Sequence, residues 1–301
     1  MSVVILEVFL DAPSYSINIE GAQSKPLDYI PGPISIVIPT FNSSRTLTQC
    51  LNSIGNQTLA CDEVIVVDRH SNDGSAQLAH EWGARVIKTS ANRSEARNIG
   101  AEQTSSSAIL FVDSDMVLPP TLIEECKTGL EKHDALIIPE VSVGSGFWAK
   151  CKALERRTHW GNELLEAARC FRKVAFSTLG GYNPSLEAGE DWDLQNRTKV
   201  FGLSIGRVRA QIEHDEGHIA LGGILGKKFA YGKAMGEYMQ ANPHLGIRQV
   251  NPIRRVLAPT LAVFPEDPVH GVGVLILRSL EFTAAGMGYL RGNLVRELQR
   301  V

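Results

Sequence analysis

Residues 108–115 read Ala108-Ile109-Leu110-Phe111-Val112-Asp113-Ser114-Asp115. An apolar run that ends abruptly in acid predicts a buried strand of a parallel sheet over residues 109–113. Such a strand delivers Asp113 and Asp115 to its carboxyl edge, where open α/β sheets keep their ligand crevice. Side chains two apart in a strand share a face, so the two carboxylates are expected to converge. Two hard oxygen ligands suit Mg²⁺ or Mn²⁺, with phosphate oxygens and water completing the shell. A strand-end turn with two solvated aspartates is the plainer alternative.

Outward from this stretch the pattern is regular. Residues 35–39 and 63–68 read as buried strands, and 84–88 as a short one. Helices are expected over 44–57, capped by Ser43 or Ser44, from Asn72-Asp73-Gly74 to about Trp82, and over 94–103. Strands alternating with helices of this length mean βαβ units and a parallel, doubly wound sheet. A catalytic α/β domain is therefore expected over residues 34–220. Residues 1–33 read as a small strand pair or a loose N-terminal arm closed by Pro31-Gly32-Pro33. Its apolar stretch from Val3 to Leu10 contains Glu7 and has no basic leader, so it does not read as a signal peptide.

A chain of 301 residues that is 44% hydrophobic and 21% charged is that of a soluble globular protein able to bury a core. Five scattered cysteines without a C-x-x-C pair argue for a reducing, intracellular compartment and against a zinc knot or disulfide framework. The net charge of −3 hides an asymmetry: from Leu221 onward 10 lysines and arginines face 5 acids, whereas the preceding residues carry 20 against 28. A basic, apolar tail on an acidic body points to an anionic partner such as a membrane surface. Nucleic acid is not expected, because the tail lacks alternating basic and aromatic residues.

The candidate chemistry sits at the predicted strand ends. Asp68 closes the second strand, where an acid can take a ribose hydroxyl or a base N–H; capping a helix is its alternative role. Arg93 and Arg97 flank the start of the third helix, where a guanidinium and the positive helix terminus would together hold a diphosphate. A surface salt bridge to Glu95 or Glu102 is the competing reading.

Taken together, several segments resemble family 2 glycosyltransferases of the GT-A fold: Val37-Ile38-Pro39-Thr40-Phe41-Asn42, Val67-Asp68-Arg69-His70-Ser71-Asn72-Asp73-Gly74-Ser75, Ser94-Glu95-Ala96-Arg97-Asn98-Ile99-Gly100 and Asp113-Ser114-Asp115. The likeness continues to Gly180-Gly181-Tyr182 and Gly189-Glu190-Asp191-Trp192-Asp193-Leu194. It implies a Rossmann-like nucleotide-diphospho-sugar transferase, a bridging Mn²⁺ or Mg²⁺, and inversion at the anomeric carbon. By this resemblance Pro39, Thr40 and Asn42 line the base pocket, Asp68 reads the base or ribose, and Arg97 lies near the diphosphate. Asp113 and Asp115 approach ribose and metal, and Gly180 and Gly181 let the backbone come close to the sugar. Asp191 is the base that takes the acceptor proton, supported by Glu190. Such a base has its own logic, since inverting transfer needs a proton acceptor opposite the leaving group. An ordinary helix N-terminus would also favour both acids.

Glu213-His214-Asp215-Glu216-Gly217-His218 places two histidines four apart, on one face if helical, but without the His-Glu-x-x-His order of a zinc protease. His214 is the candidate third metal ligand. Gly222-Gly223-Ile224-Leu225-Gly226-Lys227 falls one residue short of a phosphate loop. The Gln-x-x-Arg-Trp of processive synthases does not follow Glu190-Asp191, which favours transfer of a single sugar. The tail, residues 221–301, is expected to be a helical extension lying on a membrane: Pro259 interrupts one apolar run, and Arg278 and Glu281 interrupt another. A helical pair packed on the catalytic domain is the alternative. The expectation is thus a metal-dependent transferase on the cytoplasmic face of the cell membrane. It would move one sugar, first of all mannose from GDP-mannose, to a polyprenyl- or dolichyl-linked acceptor. A soluble transferase acting on a small molecule or protein, and an inactive nucleotide-sugar-binding module, are the rivals.

Overall fold

The computed structural model describes residues 32–162 and 164–299, so the expected N-terminal arm lies outside the described residues except for its last two positions. The chain then runs β1 (Ile34–Thr40), α1 (Ser44–Gly55), β2 (Glu63–Asp68), α2 (Ser75–Trp82), β3 (Arg85–Lys88), α3 (Arg93–Glu102) and β4 (Ala108–Phe111). These four strands pair in parallel in the order β3-β2-β1-β4. β1, β2 and β4 are almost wholly buried, as their apolar runs predict. Asp73 ties two helix starts together: its carboxylate accepts from the backbone N–H of Ser44 and of Ser75. Asn92 caps α3 by accepting from the Glu95 N–H. Gly100 lets α3 lie against β1, since a Cβ there would stand 2.3 Å from Val37 Cγ1.

Then follow β5 (Met116–Val117), α4 (Leu122–Leu130), β6 (Ala135–Ile137), β7 (Glu140–Ser145), α5 (Phe147–Arg157), β8 (Ala168–Arg172) and α6 (Lys173–Thr178). After these come α7 (Glu190–Val200), β9 (Ile205–Arg207) and β10 (Ile212–His218). The main sheet is not wholly parallel as expected. Its order is β3-β2-β1-β4-β8-β6-β9, and β8 runs antiparallel to both β4 and β6. A second sheet, β5-β10-β7, covers the carboxyl side of the first strands. Two sequence expectations change with it. β4 ends at Phe111, so Asp113 and Asp115 sit in the turn between β4 and β5 rather than on a strand. His214 and His218 lie on β10, not on a helix, and the register shifts between Asp215 and Gly217. The bulge and two partner strands override a spacing that also fits a helix turn.

The C-terminal part is helical: α8 (Leu221–Ala241), α9 (Pro243–Gln249), a π-helical turn at Ile253–Leu257, α10 (Ala258–Val263) and α11 (Pro268–Gln299). α11 packs along α8 and crosses α5. Close approach of α8 and α11 needs glycine, because a Cβ at Gly232 would stand 2.0 Å from the Ala285 carbonyl oxygen. A small apolar cluster of Cys151, Val263, Val274 and Leu277 joins α5, α10 and α11. Arg278 and Glu281, which read as breaks in an apolar run, are buried and paired with each other. No described helix is long and apolar enough to cross a membrane.

Candidate functional site

One large cavity, about 840 Å³, opens where β1, the β4–β5 turn, the start of α7 and the C-terminal helices meet. Pro39, Thr40 and Arg69 line one end, Asp113, Asp115, His214, Glu190 and Asp191 the middle, and Lys228, Arg255, Arg278 and Tyr289 the other. The sheet explains this convergence. β1 and β4 end here, while β10 brings His214 opposite Met116 and so beside Asp115.

Arg97 organises the middle. Its side chain is 1% exposed and its Nη1 donates to Glu190 Oε1 and Asp191 Oδ1, both at 3.2 Å. Its Nη2 donates to Asp113 Oδ1 at 2.7 Å, and the Tyr182 ring lies 5.0 Å from its guanidinium carbon. Arg97 therefore does not reach into the cavity as a free diphosphate ligand. Arg93, half-exposed and paired with Glu190, lines the cavity in its place. Burial opposes ionisation of Asp113, but Arg97, Arg169 and Arg93 outweigh it and hold its carboxyl well below the usual range. Burial and then the adjacent Asp191 push Glu190 up, against Arg93 and Arg97. Asp191 keeps about a third of its side chain exposed to the cavity, whereas Glu190 is nearly closed off.

Asp113 and Asp115 do not converge. Asp113 turns to Arg97 and to Arg169 Nη1 at 3.2 Å, while Asp115 Oδ2 lies 3.1 Å from His214 Nε2. No group of three acids, histidines or cysteines able to hold a metal occurs among the described residues. The predicted set of Asp113, Asp115 and His214 is thus present as a pair, Asp115 with His214. A carboxylate beside an imidazole suits Mn²⁺, with phosphate oxygens completing the shell. Asp113, neutralised by two guanidiniums, does not fit as a ligand. Burial would lower His214, but hydrogen bonds to Asp115 and Glu140 outweigh it and raise its pKa to about 9.

Asp68 is fully buried. Its Oδ2 accepts from the Ser71 N–H, while its Oδ1 has no hydrogen-bond partner. A buried carboxylate oxygen left open is suited to a donor N–H or hydroxyl. Asn42, at φ 49°, staples the neighbouring loop by accepting from the Asn72 N–H. Gly180 and Gly181 stand away from the cavity lining. They turn the chain at φ 74° and 73°, and a Cβ on Gly181 would lie 2.6 Å from Asn98 Oδ1. Their conformation serves that turn.

Three site residues are not marked by the sequence: Glu140, Arg156 and Arg169. Arg169 Nη2 meets Glu140 Oε1 at 2.6 Å, and Glu140 also pairs with Arg156. They come from β7, α5 and β8, and no local motif marks them.

Residues 35–180 match the family profile described as glycosyl transferase family 2. The chain is 32% identical over 120 residues to a poly(ribitol-phosphate) beta-N-acetylglucosaminyltransferase of Staphylococcus aureus, covering 36% of this chain and only 37% of the relative. The fold resembles S. aureus TarS 1–349 in complex with UDP-GlcNAc, at a TM-score of 0.54 and 16% identity over 89% of this chain and 91% of that one. It also resembles a Pyrobaculum calidifontis mannosyltransferase in complex with GDP-Man and Mn²⁺, at a TM-score of 0.54 and 14% identity over 86% and 87%.

Proposed function

We propose that this chain, whose residues 35–180 match the glycosyl transferase family 2 profile and which has a GT-A-like fold, is a family 2 glycosyltransferase that moves a single sugar from a nucleotide-diphosphate donor to an acceptor hydroxyl. One observation carries the reading. One cavity is lined by Pro39 and Thr40, by a carboxylate–imidazole pair at Asp115 and His214, by a part-exposed carboxylate, Asp191, and by the C-terminal helices.

In this reading the open oxygen of Asp68 takes a base or ribose donor, and Arg93 faces the diphosphate. Asp115 and His214 hold Mn²⁺ or Mg²⁺, which when bound stabilises the negative charge that develops on the leaving diphosphate. Asp191 accepts the proton of the acceptor hydroxyl as its oxygen bonds to the anomeric carbon from the face opposite the leaving group, so the configuration inverts. Arg97, which donates to Asp191 Oδ1, keeps that carboxylate aimed. Glu190 positions Arg93 and Arg97 and does not itself take the proton.

The donor is proposed to be GDP-mannose, with UDP-sugars as the alternatives, and the acceptor a lipid-linked saccharide reached from the cytoplasmic face of a membrane. Exposed apolar residues along the C-terminal helices, among them Ile253, Leu257, Leu261, Val269, Leu290 and Leu294, support a membrane surface as the working site. Thermal unfolding with GDP-mannose, UDP-glucose and UDP-GlcNAc, with and without Mn²⁺, tests the donor. Saturating specific ligand raises the midpoint by several degrees. No shift with any of them would remove this reading.

A further inference from the structure

Beyond Asp191 the cavity wall changes character. Lys152 from α5, Lys228 from α8, Arg255 from the π-helical turn and Arg278 from α11 gather around two buried carboxylates, Glu155 and Glu281. Glu155 is fully engaged, whereas Glu281 Oε1 accepts no hydrogen bond among the described residues and has Lys152 Nζ at 3.7 Å. Lys152 Nζ lies 3.1 Å from Glu155 Oε2, and Arg278 pairs with Glu281 and stands 3.5 Å from Glu155. His159 adds a bond to Glu155 at 2.8 Å. Lys228 approaches Glu281 Oε1 only to 3.8 Å, outside hydrogen-bond range. Arg255 has no carboxylate within ion-pair distance among the described residues; its guanidinium rests 5.8 Å from the Trp192 ring, next in sequence to Asp191.

Four basic side chains thus face two carboxylates inside a cavity, and the two least compensated, Lys228 and Arg255, line its surface. Buried charge of one sign costs free energy unless something of the opposite sign joins it. The strain shows in both groups. Burial and Lys152 lower Lys228 to about 7, and burial and Arg278 lower Arg255 to about 10. The same wall continues into Met235, Phe282, Ala285 and Tyr289, which are apolar or nearly so. A cationic cup that opens onto an apolar gallery matches one chemistry: an anionic head on an apolar tail.

We propose that Lys228 and Arg255 bind the phosphate of an amphiphilic phosphate ester, whose apolar chain lies along Met235, Phe282, Ala285 and Tyr289. This deepens the acceptor side of the function above. It rests on that reading only in making the bound ester the acceptor, its saccharide hydroxyl turned toward Asp191. Guanidinium and ammonium groups together suit a phosphate, one by its paired donors and the other as a point charge.

The test is binding of farnesyl phosphate to the full chain by calorimetry, beside farnesol and inorganic phosphate, with UDP and GDP titrated separately. Farnesyl phosphate is expected to bind at least about tenfold more tightly than farnesol, the scale of one charged hydrogen bond. Lys228→Gln and Arg255→Gln should each abolish that preference, while Lys228→Arg and Arg255→Lys retain it. Unliganded unfolding midpoints separate lost binding from lost fold. Equal binding of farnesyl phosphate and farnesol, or a preference that survives both glutamine variants, would overturn the proposal. Inorganic phosphate binding as tightly as the ester would overturn the amphiphilic part and point to a soluble phosphorylated ligand. Ester binding that follows the cluster while neither UDP nor GDP binds would support this site and remove the donor reading alone.

Discussion

Arg97 Nη1 donates to Asp191 Oδ1 at 3.2 Å from a side chain that is itself almost wholly enclosed. The proposed base is therefore oriented by a cation that solvent does not reach, and that cation also holds Glu190 and Asp113. Coulombic attraction at this depth is screened little, so Arg97 sets the geometry of Asp191, while Glu190 is held by Arg93 as well.

Removing that cation leaves Asp191 without its ion pair, and leaves Glu190 and Asp113, both largely enclosed, with only Arg93 and Arg169. Arg97→Met is expected to lower unfolding stability by about 3–5 kcal/mol, the usual cost of leaving buried charge uncompensated. Urea unfolding measures it. A loss below about 1 kcal/mol would show that the carboxylates find other partners.

Asp191→Asn keeps the shape and removes the proton acceptor. Transfer is expected to fall about 10²–10⁴-fold, with nucleotide-sugar binding unchanged. Full activity in this variant would sink the assignment of the base.

Asp115→Ala and His214→Ala each remove half of the proposed cation pair. Nucleotide binding without metal should persist in both, and the increment that Mn²⁺ adds should disappear. Calorimetry with and without Mn²⁺ reads this directly, and an increment that survives both changes would move the metal elsewhere.

Lys228 gives a pH signature. Burial, Lys152 and Arg278 lower its pKa to about 7, against Glu281 and Glu155, while the unfolded chain titrates near 10.5. The folded state therefore binds fewer protons than the unfolded one between these values, and stability rises with pH across that window. Below about pH 7 the lysine is charged in both states and its penalty is complete. Lys228→Met should thus be more stable than the parent at neutral pH and below, with the difference shrinking toward pH 10.5. A difference that is constant with pH would contradict the buried ammonium.

The helix crossing is equally specific. A Cβ at Gly288 would stand 2.0 Å from the Phe229 carbonyl oxygen, so Gly288→Val must push α11 off α8. A destabilisation of about 1–3 kcal/mol is expected in thermal or urea unfolding, as for other overpacked contacts. Because both helices wall the cavity, ligand binding there should weaken as well.

The order β1-α1-β2-α2-β3-α3-β4 was legible in the chain alone, because each strand is a short apolar run and each helix starts at a recognisable polar turn. Such patterns are local, carried by residues within a few positions of each other. Asp68, Asp115, Glu190 and Asp191 could be singled out for the same reason: they stand at element ends, where the chain leaves the sheet. Tertiary structure decided the rest. The antiparallel β8, the second sheet that turns His214 toward Asp115, and Arg169, which claims Asp113, all join residues tens of positions apart. Arg278 and Glu281 show the reason most plainly. In sequence they break an apolar run, but once α5, α8 and α11 close around them they neutralise each other and help frame a cationic wall. The meaning of a charge is set by which opposite charge the fold brings to it, and periodicity along the chain does not encode that pairing.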